Sequence, residues 1–167
     1  MEKKALYIIR HAKAEEHGLA QKDFDRNLVD KGIERAKQTA EELKKRLPHN
    51  HEKTMILAST ANRAAQTAQI FCEVLGYPAA DVVWEPRIYE AHYLMLMKRI
   101  NDVPARFSHV LLVGHNPGLS DFVDYVTNTY VNLKTSAIAR LELDEGIDYS
   151  TVSANTATLQ QVICKPY

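Results

Sequence analysis

Short apolar runs alternate along this chain with longer stretches in which apolar residues recur every three or four positions. Ala5-Leu6-Tyr7-Ile8-Ile9 is a continuous apolar run with a β-branched end, which predicts a buried strand. Residues 12–29 are polar and irregular and are expected to form a loop. Asp30 can N-cap a helix, and Ile33, Ala36, Ala40, Leu43 and Leu47 then define one helical face, which Pro48 stops. Met55-Ile56-Leu57-Ala58 predicts a second strand, followed by a helix over 62–75 that Gly76 ends. Val82-Val83-Trp84 predicts a short third strand. A helix is expected from about Ala91 to Ile100, with Leu94, Met97 and Ile100 facing inward. Val110-Leu111-Leu112-Val113 predicts a fourth, buried strand. After it, Gly114-His115-Asn116-Pro117 turns into a helix through about Val126, with Pro117 suited to its first position. Ile138 to Leu143 and Thr158 to Ile163 alternate as two antiparallel strands, and Asp144-Glu145-Gly146 begins the turn between them.

Strands alternating with helices give an α/β domain with a mostly parallel sheet and antiparallel C-terminal edge strands. The 167 residues suit one domain, expected to span 1–167. Lys plus Arg equals Asp plus Glu at 21 each, so bulk charge points to neither nucleic acid nor membrane, and an anion site must be a local cluster. Cys72 and Cys164 have no metal-ligand or redox spacing and read as reduced thiols. The charged start, Met1-Glu2-Lys3-Lys4, is followed by an apolar run that ends at Arg10. That run is too short for a signal peptide or a membrane span, so a cytoplasmic location is expected.

Ligands of open α/β sheets bind beyond the carboxyl ends of the strands. The first strand delivers Arg10 and His11 there. The second delivers Ser59 and Thr60, with Arg63 at the start of its helix. The third is followed by Arg87, Tyr89 and Glu90. The fourth delivers His115 and Asn116, just before a helix N-terminus expected to add free N–H groups. Arg10, Arg63, His11, His115 and Glu90 are thus expected to converge. Arginine forks match phosphate oxygens, a neutral imidazole can attack phosphorus, and a second histidine can donate to phosphoryl oxygens. A carboxylic acid can protonate a leaving oxygen and later activate water. No carboxylate cluster suggests a cation cage, so neither metal nor cofactor is expected, and the arginines would supply the positive charge.

Ile9-Arg10-His11-Ala12-Lys13-Ala14-Glu15 resembles the opening signature of the histidine phosphatase superfamily, which includes the phosphoglycerate mutases. Leu28-Val29-Asp30-Lys31-Gly32, Ser59-Thr60-Ala61-Asn62-Arg63-Ala64-Ala65-Gln66-Thr67 and Leu112-Val113-Gly114-His115-Asn116-Pro117 resemble its later blocks, in order. Thr135-Ser136-Ala137-Ile138 is similar to a block of the SixA-type branch, the protein-phosphohistidine phosphatases. The resemblance implies a phosphoglycerate mutase-like, three-layer α/β sandwich. It also implies that His11 accepts the phosphoryl group, within a phosphate pocket completed by Arg10, Arg63 and His115. Two positions depart from the pattern. Ala12 stands where Gly is usual, and Lys13-Ala14 replaces the Glu-Thr pair of the mutases, which speaks against mutase activity.

Glu90 has two readings, as general acid/base beside His11 and His115 or as a solvated carboxylate at a helix start. Asn116 is placed with the substrate-binding groups, and Ser59 is expected to orient a pocket group. His92 reads as a helix-surface residue and His17 as a loop residue. His49-Asn50-His51 lacks a third metal ligand. The expected activity is hydrolysis of a phosphoryl group through phosphohistidine, acting on phosphohistidine in a protein, with phosphate or sulfate able to occupy the site. The alternatives are a small-molecule phosphomonoesterase and a non-catalytic phosphate-binding module.

Overall fold

The computed structural model describes residues 3–18, 21–48 and 51–164. The start at Met1 and Glu2 and the His49-Asn50 part of the histidine pair lie outside the described residues. Six strands form one sheet: β1 (Ala5–Arg10), β2 (Thr54–Ala58), β3 (Val83–Trp84), β4 (His109–Gly114), β5 (Ile138–Leu143) and β6 (Ala157–Ile163). Their order is β3-β2-β4-β1-β5-β6. The four strands from β3 to β1 run parallel, β5 pairs antiparallel with β1, and β6 pairs antiparallel with β5. Four helices cover the sheet: α1 (Asp30–Lys44), α2 (Asn62–Leu75), α3 (Tyr93–Asn101) and α4 (Gly118–Thr127).

Period-two alternation along β1 feeds both faces. Leu6 and Ile8 pack with Leu96 and Ile100 of α3 and Phe122 and Val123 of α4. Tyr7 and Ile9 pack on the other face with Ala36 and Ala40 of α1 and Ala64, Ala68 and Phe71 of α2. This is the expected three-layer α/β sandwich. No helix among the described residues is long and apolar enough to cross a membrane.

Three local expectations shift. Val29, not Asp30, is the N-cap of α1, because the Val29 N–H is tied to the Lys13 carbonyl and its own carbonyl accepts from Ile33. Asp30 lies in the first turn, where its charge suits the helix dipole. In α3 the buried face runs through Leu96 and Ile100, with Tyr93 and Met97 beside it, and Leu94 is 39% exposed. The helix starts at Tyr93, so the i, i+3, i+4, i+7 face begins there and leaves Leu94 outside it. Pro117 is the N-cap of α4 rather than its first helical residue.

Gly32 shows why the Leu28–Gly32 segment has its form. A Cβ on Gly32 would lie 2.1 Å from the Lys13 carbonyl oxygen. The first turn of α1 therefore rests directly on the backbone two residues beyond His11. Gly32→Ala should force these segments apart and destabilise the fold by about 1–3 kcal/mol. Gly18→Ala, where a Cβ meets nothing within 4 Å, should leave stability unchanged. Urea denaturation of the two variants checks this.

Candidate active site

Parallel pairing places Arg10 opposite Gly114 and Ala58 opposite Val113. One residue further, the His11 N–H donates to the Gly114 carbonyl (3.0 Å) and the Ser59 N–H to that of Val113 (3.1 Å). His11, His115 and Ser59 therefore emerge side by side at the sheet edge, and the two imidazole centroids are 5.3 Å apart.

The hydrogen bonds assign the His11 tautomer. His11 Nδ1 lies 2.7 Å from the Ala12 carbonyl oxygen, which can only accept, so Nδ1 carries the proton. Nε2 keeps its lone pair and accepts from Arg63 Nε at 3.4 Å. Helix α2 holds both groups: Thr67 Oγ1 accepts from the Ala12 N–H (2.9 Å) and donates to the Arg63 carbonyl (2.7 Å). Ser59 Oγ accepts from the Ala61 N–H and lies 2.8 Å from His115 Nε2, where either group can be the donor. His115 Nδ1 is buried and has no hydrogen-bond partner in the protein.

His11, His115 and Arg63 are 7%, 9% and 6% exposed. Burial pushes His11 down to about 4, with Arg63 and Arg10 adding to the shift, although the bond to Ala12 opposes it. Burial likewise pushes His115 down to about 3, helped by His11 and Arg63. Both rings are neutral at pH 7.

Arg10 reaches the site from the end of β1, and its Nη1 donates to the Leu133 carbonyl (3.0 Å). Asn116 Nδ2 donates to the same carbonyl (2.9 Å), while its Oδ1 accepts from the N–H and Oγ of Ser120. Asn116 lines the cleft, but these bonds tie it to α4 and to the segment that holds Arg10. Its Oδ1 thereby satisfies the Ser120 N–H in the first turn of α4 from the residue before the N-cap Pro117. The expected N–H groups at this helix start are largely taken: those of Leu119, Ser120 and Asp121 go to His115 O, Asn116 Oδ1 and Pro117 O.

A cleft of about 400 Å³ opens beside His115 and Arg63, lined also by Asp23, Tyr89 and Glu90. Glu90 is exposed, at a φ of 57° that non-glycine residues rarely adopt. Arg87 turns away to pair with Glu85 (2.7 Å). His92 caps α3, its Nδ1 accepting from the Leu94 N–H (3.4 Å). Among the described residues, no group of three or more His, Cys, Asp or Glu side chains is placed to hold a metal ion.

Sequence reasoning missed Asp23. Its carboxylate receives Arg63 Nη2 (3.1 Å), Tyr89 Oη (2.6 Å) and Arg26 Nη1 (2.9 Å). The available signal was electrostatic: a buried guanidinium needs a counter-charge, and the 12–29 loop holds the acidic run that supplies it.

The fold brings two buried histidines and a buried arginine together at one edge of the sheet of an α/β sandwich. Residues 6–118 match the histidine phosphatase superfamily (branch 1), and the chain belongs to that superfamily. It is 31% identical over 142 residues to an uncharacterized protein of Picosynechococcus sp., covering 81% of this chain and 83% of that one. Among solved structures it is similar to a protein of Nakamurella multipartitia assigned as phosphohistidine phosphatase SixA, with TM-score 0.83, 22% identity and coverage of 97% and 96%. It is also similar to the protein histidine phosphatase SixA complexed with tungstate, with TM-score 0.79, 21% identity and coverage of 96% of each chain. A third, from Agrobacterium tumefaciens and also assigned as SixA, gives TM-score 0.79, 25% identity and coverage of 97% and 98%.

The depressed histidines set a pH dependence of stability. Below the ordinary value of 6.5 the unfolded chain protonates His11 and His115, while the folded chain does not until about 4 and 3. Stability is therefore full above pH 6.5 and falls as pH drops from there toward 4, on the order of 3 kcal/mol for His11 alone. Urea midpoints at pH 7.5 and 4.5 should show this loss, and His115→Gln should reduce the difference.

Proposed function

We propose that this protein is a phosphatase that forms a phosphohistidine at His11 Nε2 and takes its phosphoryl group from phosphohistidine in a protein. The observation that carries the reading is the complementary state of the two buried imidazoles. His11 Nε2 is unprotonated because Nδ1 is committed to Ala12 O, and His115 Nδ1 is buried with no protein partner; in the tautomer in which Ser59 Oγ donates to Nε2, it carries an N–H for the phosphoryl group.

In the first step the Nε2 lone pair attacks phosphorus as the bond to the leaving group breaks. The positive charge that appears on the His11 ring is stabilised by its Nδ1–H bond to Ala12 O. Arg10 and Arg63 neutralise the phosphoryl oxygens, and His115 Nδ1–H donates to one of them. In the second step water attacks phosphorus, the P–N electron pair returns to Nε2, and a proton leaves the water, with Glu90 the available carboxylate.

Two features support a protein substrate. Between β3 and β4 the chain forms the 3-10 turn Pro86–Ile88, the nine residues of α3 and short loops, with no larger capping insertion, so the cleft stays open. The SixA structures share this fold, and one of them binds tungstate, a tetrahedral oxyanion of phosphate-like shape.

His11→Ala should abolish phosphate release, and brief exposure of the wild type to substrate should leave an acid-labile, base-stable phosphate on His11. Phosphate and sulfate should inhibit competitively, and EDTA should leave the rate unchanged because the arginines supply the positive charge. Phosphate binding without turnover would point instead to a non-catalytic module. A strong preference for a small ester over a phosphohistidine protein would point to a phosphomonoesterase.

Glu90→Gln separates the remaining roles. An alkoxide needs a proton to leave, whereas imidazole needs far less help. If Glu90 is the general acid, single-turnover rates on an alkyl phosphate should fall about 10²–10⁴-fold, and rates on phosphohistidine much less. Equal losses would make Glu90 a positioning group, and no loss a solvated carboxylate.

A further inference from the structure

An ionised carboxylate bonded to a phosphate-binding arginine needs a reason, because it repels the anion that the arginine would hold. Asp23 is in this position. It is only a third exposed, and the Tyr89 hydroxyl, Arg26 and Arg63 hold its carboxyl well below the usual carboxylate range. The Tyr89 phenol, pushed up to about 12 chiefly by Asp23, remains a donor.

The guanidinium geometry supplies the reason. Asp23 takes the tip of the Arg63 fork twice, its backbone carbonyl accepting from Nη1 (2.8 Å) and its Oδ2 from Nη2 (3.1 Å). The remaining fork, made of Nε and the N–H of Nη2 on the same side, is left toward His11, where Nε already faces Nε2 at 3.4 Å. Tyr89 fixes the carboxylate through its 2.6 Å bond, and its ring is braced edge-on by Phe24 (5.1 Å) and His115 (5.5 Å).

We infer that Asp23 is a positioning residue that orients Arg63, so that the Nε–Nη2 edge of its guanidinium meets the oxygens of a phosphoryl group on His11. The inference rests on the reading of the site as a phosphatase centre. It assigns to Asp23 two opposed effects: weaker binding of the ground-state anion and better alignment in the transition state.

The opposition makes the role testable. Asp23→Asn keeps the size and an acceptor oxygen but loses the charge. With an aryl phosphate as substrate, kcat should fall about 10–100-fold, the scale of a misplaced binding group. Inorganic phosphate, titrated calorimetrically, should bind at least as tightly as to the wild type. Arg26→Gln cuts the other side of the same carboxylate without touching Arg63 and also releases the Arg26 Nε bond to Glu15 O, so it loosens the loop and should keep kcat within about threefold of the wild type. In an Arg63→Ala background, Asp23→Asn should cost less than about twofold more, because it acts through the missing guanidinium.

The inference is overturned by full kcat in Asp23→Asn. It is equally overturned if kcat and phosphate affinity fall together and Arg26→Gln matches them, which would make Asp23 a loop tether, or if the losses of Asp23→Asn and Arg63→Ala simply add. A wild type that releases no phosphate would defeat the phosphatase reading instead. The phosphate titrations would then still read the coupling: the affinity change from Asp23→Asn must vanish in Arg63→Ala for the inference to stand.

Discussion

Between β1 and β4 the ladder runs in parallel register with Arg10 opposite Gly114, and the bond from His11 N–H to Gly114 O extends it by one residue. Side chains alternate along a strand, so a slip of one residue would send β1 side chains to the wrong face. Arg10 and His11 would exchange directions, and the two imidazoles could not meet at 5.3 Å. Both layers of core guard the register, since Ile8 and Ile9 are each fully buried on opposite faces. The fold thus stabilises the site indirectly: burial of apolar side chains fixes a backbone register, and the register fixes two histidines.

Much of this was legible because apolar run lengths and strand-end residues carry it. The six strands, the four helices and the meeting of Arg10, His11, Arg63 and His115 follow from local pattern and from the rule that sites lie at strand carboxyl ends. The phase of α3 was less legible, since Leu94, Leu96 and Met97 are all apolar and only the helix start decides which are buried. Asp23 was illegible for a different reason. It approaches Arg63 through a loop whose path is set by contacts such as Gly32 on Lys13 O, and hydrophobic periodicity says nothing about a polar loop. Asn116 was legible in position, but its bonds to Ser120 and Leu133 depend on how the 128–137 segment folds back.

The electrostatics of the site follow from a division of labour. In the proposed reaction the charge for holding an anion resides on arginines, which stay protonated under burial. The groups that reaction sets next to phosphorus are imidazoles, which burial keeps neutral. Had lysines held the anion instead, the same desolvation would have depressed the ammonium groups and weakened anion binding. In the tautomer in which Ser59 Oγ donates to Nε2, a neutral His115 carries Nδ1–H, and the proposed reaction needs no protonated histidine before substrate arrives. A bound dianion would favour the charged ring and strengthen that donor as charge develops.

The carboxylates around the cleft constrain which leaving groups the proposed reaction suits. Asp23 is held ionised by three hydrogen-bond donors and is not available as an acid near neutral pH. Glu90 is exposed at the cleft. With Asp23 ionised and Glu90 exposed, the cleft offers no buried carboxylic acid among the described residues to protonate an alkoxide. Phosphohistidine protonated on its other ring nitrogen departs as neutral imidazole, which is stable without a strong acid beside it, and attack by His11 then exchanges one P–N bond for another of similar energy. The same weakness matters less in the second step, because the ring leaving phosphorus is His11 itself, whose Nδ1–H already rests on Ala12 O. A phosphohistidine substrate thus makes the two half-reactions chemically alike, and a single arrangement of Arg10, Arg63 and His115 supports both.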